Sequence, residues 1–345
     1  MENHLYKIRE NGKYGFINTA GQIVIEPQYV EAEDFYNNFS RVRFNNKLVP
    51  LDSLGRLLMK HLFNHVGQFE EGLAKAQLVN QWGYIDRRGS LAIDIQFDDA
   101  GDFSEDLAAV NIGGLYGYIN IEGEIQIDEQ FEEAGTFKNG LAPVKLNGAY
   151  GFINKKGDFV IQAKFENAQA FQDKVAVVSE GNKWGLIDEK GTVIVKPQFT
   201  MEDGYTNGGF FDGLALIMYD EKYGFINNNG KVIVDTIYDF AGDFGGGLAL
   251  VEINGQYGYI DTKGKLVIEA QYEDAGVFAE GFAQVKINGK WGFINSKNEI
   301  IIPPTFDVVM PFKGALAQVA INGKWTYINQ KGEVVWQETD SLIYQ

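Results

Sequence analysis

The sequence predicts an all-β fold: a tandem array of ten antiparallel β-meander or hairpin repeats, each about 34 residues long. Three observations lead there. First, an aromatic residue, in most copies followed by glycine, recurs at Tyr14, Trp82, Tyr116, Tyr150, Trp184, Tyr223, Tyr257, Trp291 and Trp325, with Leu48 in the same place in a degenerate copy. Eight of the nine intervals are 34 residues; the ninth, Trp184 to Tyr223, is 39. Second, Asn or Asp stands four residues after each of these positions in all ten copies, from Asn18 to Asn329. Third, glycine follows the Asx after three more residues in nine copies, and Asn298 takes its place in the tenth. Composition agrees: 14% aromatic residues and 41 glycines against 7 prolines favour short strands joined by tight turns.

Each element has a local cause. The Asx-x-x-Gly segment fits a hairpin turn in which the Asx side chain bonds the backbone and the glycine takes positive φ. Asn298 fits for the same reason, because asparagine tolerates that conformation. A second turn precedes the aromatic, as in Asn147-Gly148 and Asn288-Gly289. An alternating strand comes before it, so each copy reads as a three-stranded meander, for example Phe282–Ile287, Trp291–Ile294 and Glu299–Ile302. A connection of about 15 residues, carrying two further aromatic columns, leads to the next copy. One column runs from Tyr29 to Phe306; the other is Phe35, Phe69, Phe103, Phe137, Phe171, Phe244, Phe278 and Phe312. A three-stranded sheet cannot bury both faces alone, so these columns are expected to plug the gap between successive sheets. The expected arrangement is an open superhelical stack, with a propeller-like closed ring as the alternative. Residues 1–345 thus form one array, with a degenerate second copy at 36–69, an insertion loop at 200–212 and an irregular C-terminal cap at 337–345.

The segments Lys290-Trp291-Gly292-Phe293-Ile294-Asn295, Lys183-Trp184-Gly185-Leu186-Ile187-Asp188 and Gln256-Tyr257-Gly258-Tyr259-Ile260-Asp261 carry a family resemblance. With the Lys-Gly, Pro-x-Phe-Asp and Phe-x-x-Gly-Leu-Ala segments that follow them, they resemble the WG (or KWG) repeat family of bacterial proteins. The resemblance covers essentially the whole chain. It implies a bacterial origin and a β-rich array, and it carries no general catalytic residues. Copy two departs most, with Lys47-Leu48-Val49-Pro50-Leu51-Asp52.

Charge and composition limit the function. A net charge of −17 repels phosphate backbones and anionic lipid, so no nucleic-acid partner and no membrane insertion are expected. The absence of cysteine excludes disulfides, thiolate metal sites and a cysteine nucleophile. No apolar leader or span of 18 apolar residues appears, so a cytoplasmic location is expected by default, although a trimmed leader would leave no trace. The connection acids (Glu31, Asp98, Asp99, Glu132, Glu133, Glu166, Asp239, Glu273, Asp274 and Asp307) read as a solvated face, since they lack a calcium-loop pattern. His61 and His65 lack a third ligand for zinc, so no metal or cofactor is expected. No nucleophile elbow, phosphate loop or dinucleotide fingerprint occurs, and ten similar copies offer a periodic surface rather than an asymmetric catalytic constellation. The chain therefore reads as a non-catalytic scaffold that binds a protein partner. Glycan binding through aromatic platforms is the alternative, and a carboxylate hydrolase a distant one. The aromatic-Gly column reads mainly as glue between units. The insertion, with Tyr205, Asn207, Phe210 and Phe211, is the candidate contact site.

Overall fold

The structure is a computed structural model that describes residues 4–36, 38–58, 63–181, 183–200 and 209–339. All of its regular elements are strands, and they form the ten separate antiparallel sheets of a repeat array. The chain divides into two compact units. One comprises Met1–Lys7, Lys13–Phe16 and Val24–Gln198; the other comprises Ile8–Gly12, Ile17–Ile23 and Phe199–Gln345.

Copy five shows how the sequence produces one sheet. Leu141–Leu146 pairs with Ala149–Asn154, which pairs with Phe159–Phe165. The three-stranded meander is incomplete, however. The connection supplies a short fourth strand, Glu133–Ala134, hydrogen-bonded to the first long strand. Seven of the ten sheets have four strands among the described residues. A two-residue strand has no hydrophobic period of its own, so pattern reading passes over it.

The turns form as their chemistry dictates. In copy five Asn154 Oδ1 accepts the N–H groups of Lys156 at 2.9 Å and Asp158 at 3.1 Å. The same pair of bonds is made at all ten Asx positions, from Asn18 to Asn329. Asn298 holds the glycine place at φ 65°. A third turn closes the connection: Lys138 and Leu141 exchange backbone bonds of 2.9 and 3.1 Å around Asn139-Gly140, both at positive φ.

The glycine after the leading aromatic answers to its partner strand. Between Tyr150 and Phe152 the register against Phe165 and Ile161 slips, so the third strand bulges over Gly151. A Cβ there would stand 2.5 Å from the Ile161 carbonyl oxygen and 2.6 Å from the Ala163 nitrogen. In copy ten the third strand runs past Thr326 without that slip, Thr326↔Gln337 and Tyr327↔Trp336 staying in step, and a side chain fits.

The cores lie between neighbouring sheets. Leu107, Ala109, Tyr118, Ile127 and Phe131 of copy four pack with Phe137, Ala142, Val144 and Ile153 of copy five in one buried cluster. The aromatic two residues after the leading one packs on the second connection column. Tyr118 meets Phe137 at 4.9 Å, Phe152 meets Phe171 at 4.9 Å and Phe225 meets Phe244 at 4.8 Å. Tyr84, Tyr118 and Tyr259 also donate their hydroxyls to the carbonyls of Gly101, Gly135 and Gly276 at 2.7–2.8 Å, which satisfies the one polar atom each buries. Burial holds these three hydroxyls far above the usual tyrosine range.

Turns also touch turns. Glu71 accepts the N–H groups of Glu105 and Asp106, Glu105 accepts that of Gly140, and Asp212 accepts that of Gly247. In the second unit a Cβ on Gly21 of copy one would meet the Val335 carbonyl of copy ten, much as one on Gly332 would meet Ile302 of copy nine. Copy one thus rests its turn on copy ten as other copies rest theirs on their predecessors.

Candidate functional site

The antiparallel register brings three side chains of each complete copy into a row across one end of the sheet. In copy four these are Asp99, Asn111 and Tyr116, paired strand to strand. Cross-strand partners share a face, so the short strand, the first long strand and the aromatic-Gly strand each contribute one member. The third member is the leading aromatic. Tyr14, Trp82, Tyr116, Tyr150, Tyr257, Trp291 and Trp325 are half-buried, while Trp184 and Tyr223 are buried. These anchors therefore contribute to packing, and seven of them also keep an exposed edge.

Rows in copies four, five and nine carry charge beside the ring. Tyr116 donates its hydroxyl to Asp99 at 2.7 Å; burial and this bond push the hydroxyl up to about 12. In copy five Lys145 pairs with Glu133 at 2.7 Å, and the Tyr150 hydroxyl donates to the same carboxylate. The bonds from Lys145 and Tyr150 hold the Glu133 carboxyl below its ordinary value. Lys145 Nζ lies 5.5 Å from the Tyr150 ring centre, and Lys286 Nζ lies 5.9 Å from that of Trp291. The row of copy three holds His65, whose ring meets Trp82 edge-on at 5.5 Å; burial, aided by Arg41 and Lys75, holds its imidazole below the ordinary value. His61 lies outside the described residues, and among the described residues no group of three acidic or imidazole side chains is placed to hold a metal ion.

The row of copy eight is different. Phe240 stands where copies four, five and nine have an acid, and Glu252 stands where copies five and nine have lysine. A cavity of about 430 Å³ opens between this row and the short strand of copy nine, lined by Phe240, Leu250, Glu252, Tyr257, Asp274 and Val277, with Gly242 and Gly276 in its wall. Asp274 and the Tyr257 column stand out in the sequence, whereas Phe240 and Glu252 do not. The available signal was the break in two columns, visible only once the short strand fixes which residues share a row.

The connection acids are largely engaged by their own sheets. Asp98, Glu132, Glu166, Asp239 and Glu273 accept N–H groups from the hairpin turns at Gly113, Gly148, Gly181, Asn254 and Gly289. Asp239 and Asp307 also pair with Lys222 and Lys290. The face read as simply solvated therefore has a structural task in tying the connection to the turn.

Of the four candidate contact residues in the insertion, Tyr205 and Asn207 lie outside the described residues. Phe211 is 41% exposed and exchanges backbone bonds with Leu214. Phe210 is a correction. It is only 4% exposed and falls 39 residues after Phe171 and 34 before Phe244, so it is the missing member of the second connection column and packs inward. The five-residue insertion hid that register.

Among solved structures, a eukaryotic initiation factor matches over 100% of this chain and 98% of its own, with 10% identity and a TM-score of 0.54. Dihydro-heme d1 dehydrogenase NirN is similar over 79% of this chain and 75% of its own at 13% identity and TM-score 0.34; Hsv2p of Kluyveromyces lactis covers 69% and 95% at 9% and 0.36. At such identity the first likeness is one of fold alone. No curated protein matches the chain significantly. The model of the WG containing repeat matches eight segments, 14–47, 82–116, 116–148, 150–184, 184–223, 223–257, 257–291 and 291–325. Its gap at 48–81 falls where Leu48-Val49 replaces the aromatic-Gly pair. By these matches and by the sheet that each repeat builds, the chain belongs to the WG-repeat family.

Proposed function

We propose that this all-β repeat protein is a non-catalytic scaffold that binds a protein partner through its repeated surface. The observation that carries the reading is the recurring half-buried aromatic, kept in seven copies and flanked by charged side chains in copies four, five and nine. An aromatic with one packed face and one wet edge is pre-ordered for contact at low entropic cost, and repetition adds avidity. The turn-bound connection acids favour binding over hydrolysis, because a carboxylate that holds backbone N–H groups is fixed in a structural bond. Affinity capture from extract of the source organism tests this. A small set of proteins should be enriched on the intact chain and lost when Lys145 and Lys286 are both replaced by glutamate. No enriched set, or one indifferent to those changes, counts against it.

A second reading, glycan binding, draws on the same seven half-buried aromatics, whose partial exposure leaves ring surface for a sugar. Silence on a glycan array would remove it. No helix among the described residues is long and apolar enough to cross a membrane.

A further inference from the structure

Copies five and nine hold a lysine at the row position that Glu252 holds in copy eight. In copy five the ammonium of Lys145 lies over the Tyr150 ring and against the Glu133 carboxylate. In copy nine Lys286 lies over the Trp291 ring. The row geometry therefore accommodates a cation beside the leading aromatic. In copy eight the residue that would supply this cation is Glu252, and the neighbouring column position is Phe240. Among the described residues Glu252 makes no ion pair. The charge is thus reversed in a row beside which a cavity of about 430 Å³ opens between Phe240, Tyr257, Glu252 and Asp274.

We propose that this cavity takes the guanidinium of an arginine side chain from the protein partner. A planar, weakly hydrated cation can stack on an aromatic face while its N–H groups meet carboxylates, and two of each line the cavity. The volume admits the head and its aliphatic stem, for which Leu250 and Val277 supply apolar wall. The net charge of −17 adds long-range attraction for a basic segment. This inference rests on the scaffold reading and deepens it by naming what one pocket recognises.

The test uses the full chain and Nα-acetyl-arginine methylamide as probe, titrated by calorimetry and by chemical-shift changes. Saturable binding is expected, with the largest shifts in 240–277. Glu252→Lys, which places a cation where copies five and nine have one, should weaken binding at least tenfold. Val277→Lys, at a position already 40% exposed, should do the same without touching the core. Glu269→Lys makes the same charge change on an exposed strand position outside the cavity lining and should stay within twofold of the parent. The neutral citrulline analogue should not bind. Equal binding of arginine and citrulline probes, equal loss in all three variants, no saturable binding, or binding of calcium in place of the arginine probe would each overturn the assignment. Partners captured unchanged by Glu252→Lys would overturn the pocket while leaving the scaffold reading standing; loss of all capture on the parent chain would sink both.

Discussion

Gly151 has no side chain because the third strand of its sheet closes over it, leaving 2.5 Å between a would-be Cβ and the Ile161 carbonyl. Gly151→Ala should therefore cost about 1–3 kcal/mol, the range for forcing atoms into packed space. Thr326→Ser in copy ten, which keeps the Cβ and the hydroxyl, should cost less than Gly151→Ala, because the strand there leaves room for a side chain. Thermal melts of the two variants check the contrast; equal losses would show that the bulge is not the cause. The Asx turns make a second residue-scale prediction. The bond from the Lys265 N–H, with that from Lys263 and the charges of both lysines, holds the Asp261 carboxyl below its ordinary value of 3.8. The folded value is the lower one, so the contribution is fully present above pH 3.8 and is lost as pH falls through the folded value. Asp261→Asn keeps an acceptor oxygen for both N–H groups and removes the titration. The melting-temperature difference between parent and variant should be flat near neutrality and shift against the parent below about pH 4. A difference that does not change with pH would refute the charge-assisted turn.

At the element scale the stabilising unit is the pair of neighbouring sheets. Phe137 is fully buried, meets Tyr118 of the preceding sheet at 4.9 Å, and sits in a cluster drawn from copies four and five. Phe137→Ala should cost about 3–5 kcal/mol, the range for emptying a large aromatic site. The loss of hydrogen-exchange protection should concentrate in the strands of copies four and five, 107–165. Uniform loss along the chain would contradict an inter-sheet core. Much of this element was legible beforehand, for identifiable reasons. The turns were, because Asn154 and Gly157 act through bonds to residues within four positions. The aromatic columns were, because packing between sheets repeats with the chain period. The short strand Glu133–Ala134 was not, since two residues carry no alternation, and its column mixes the acids Glu31, Asp99, Glu133 and Asp274 with His65, Asn167, Phe240 and Val308. The structural role of Glu132 was also hidden. Its partner is the Gly148 N–H, 16 residues away, a link that only the folded hairpin creates.

On the scale of the whole molecule, the repeat period sets how far any local change is felt. Each core is shared by two adjacent sheets, and the acid-to-turn bonds Glu71 to Glu105 and Glu105 to Gly140 likewise step from one copy to the next. The period also explains why function was less legible than fold. Copies alike enough to stack must agree at buried positions, so the residues that distinguish one copy appear as noise against the period. Phe240 and Glu252 are two such departures, and Phe210 was misread because five inserted residues displaced it from its column. Nearest-neighbour coupling predicts additivity with distance. Gly83→Ala in copy three and Gly185→Ala in copy six lie in one compact unit but in no common cluster. Their costs should add to within about 0.3–0.5 kcal/mol. Tyr118→Ala and Phe137→Ala share one ring contact and should deviate from additivity by about 0.5–3 kcal/mol. Native-state hydrogen exchange on the four single and two double variants reads both quantities strand by strand. If the distant pair couples as strongly as the contacting pair, the sheets respond as one body and the nearest-neighbour account of this array fails.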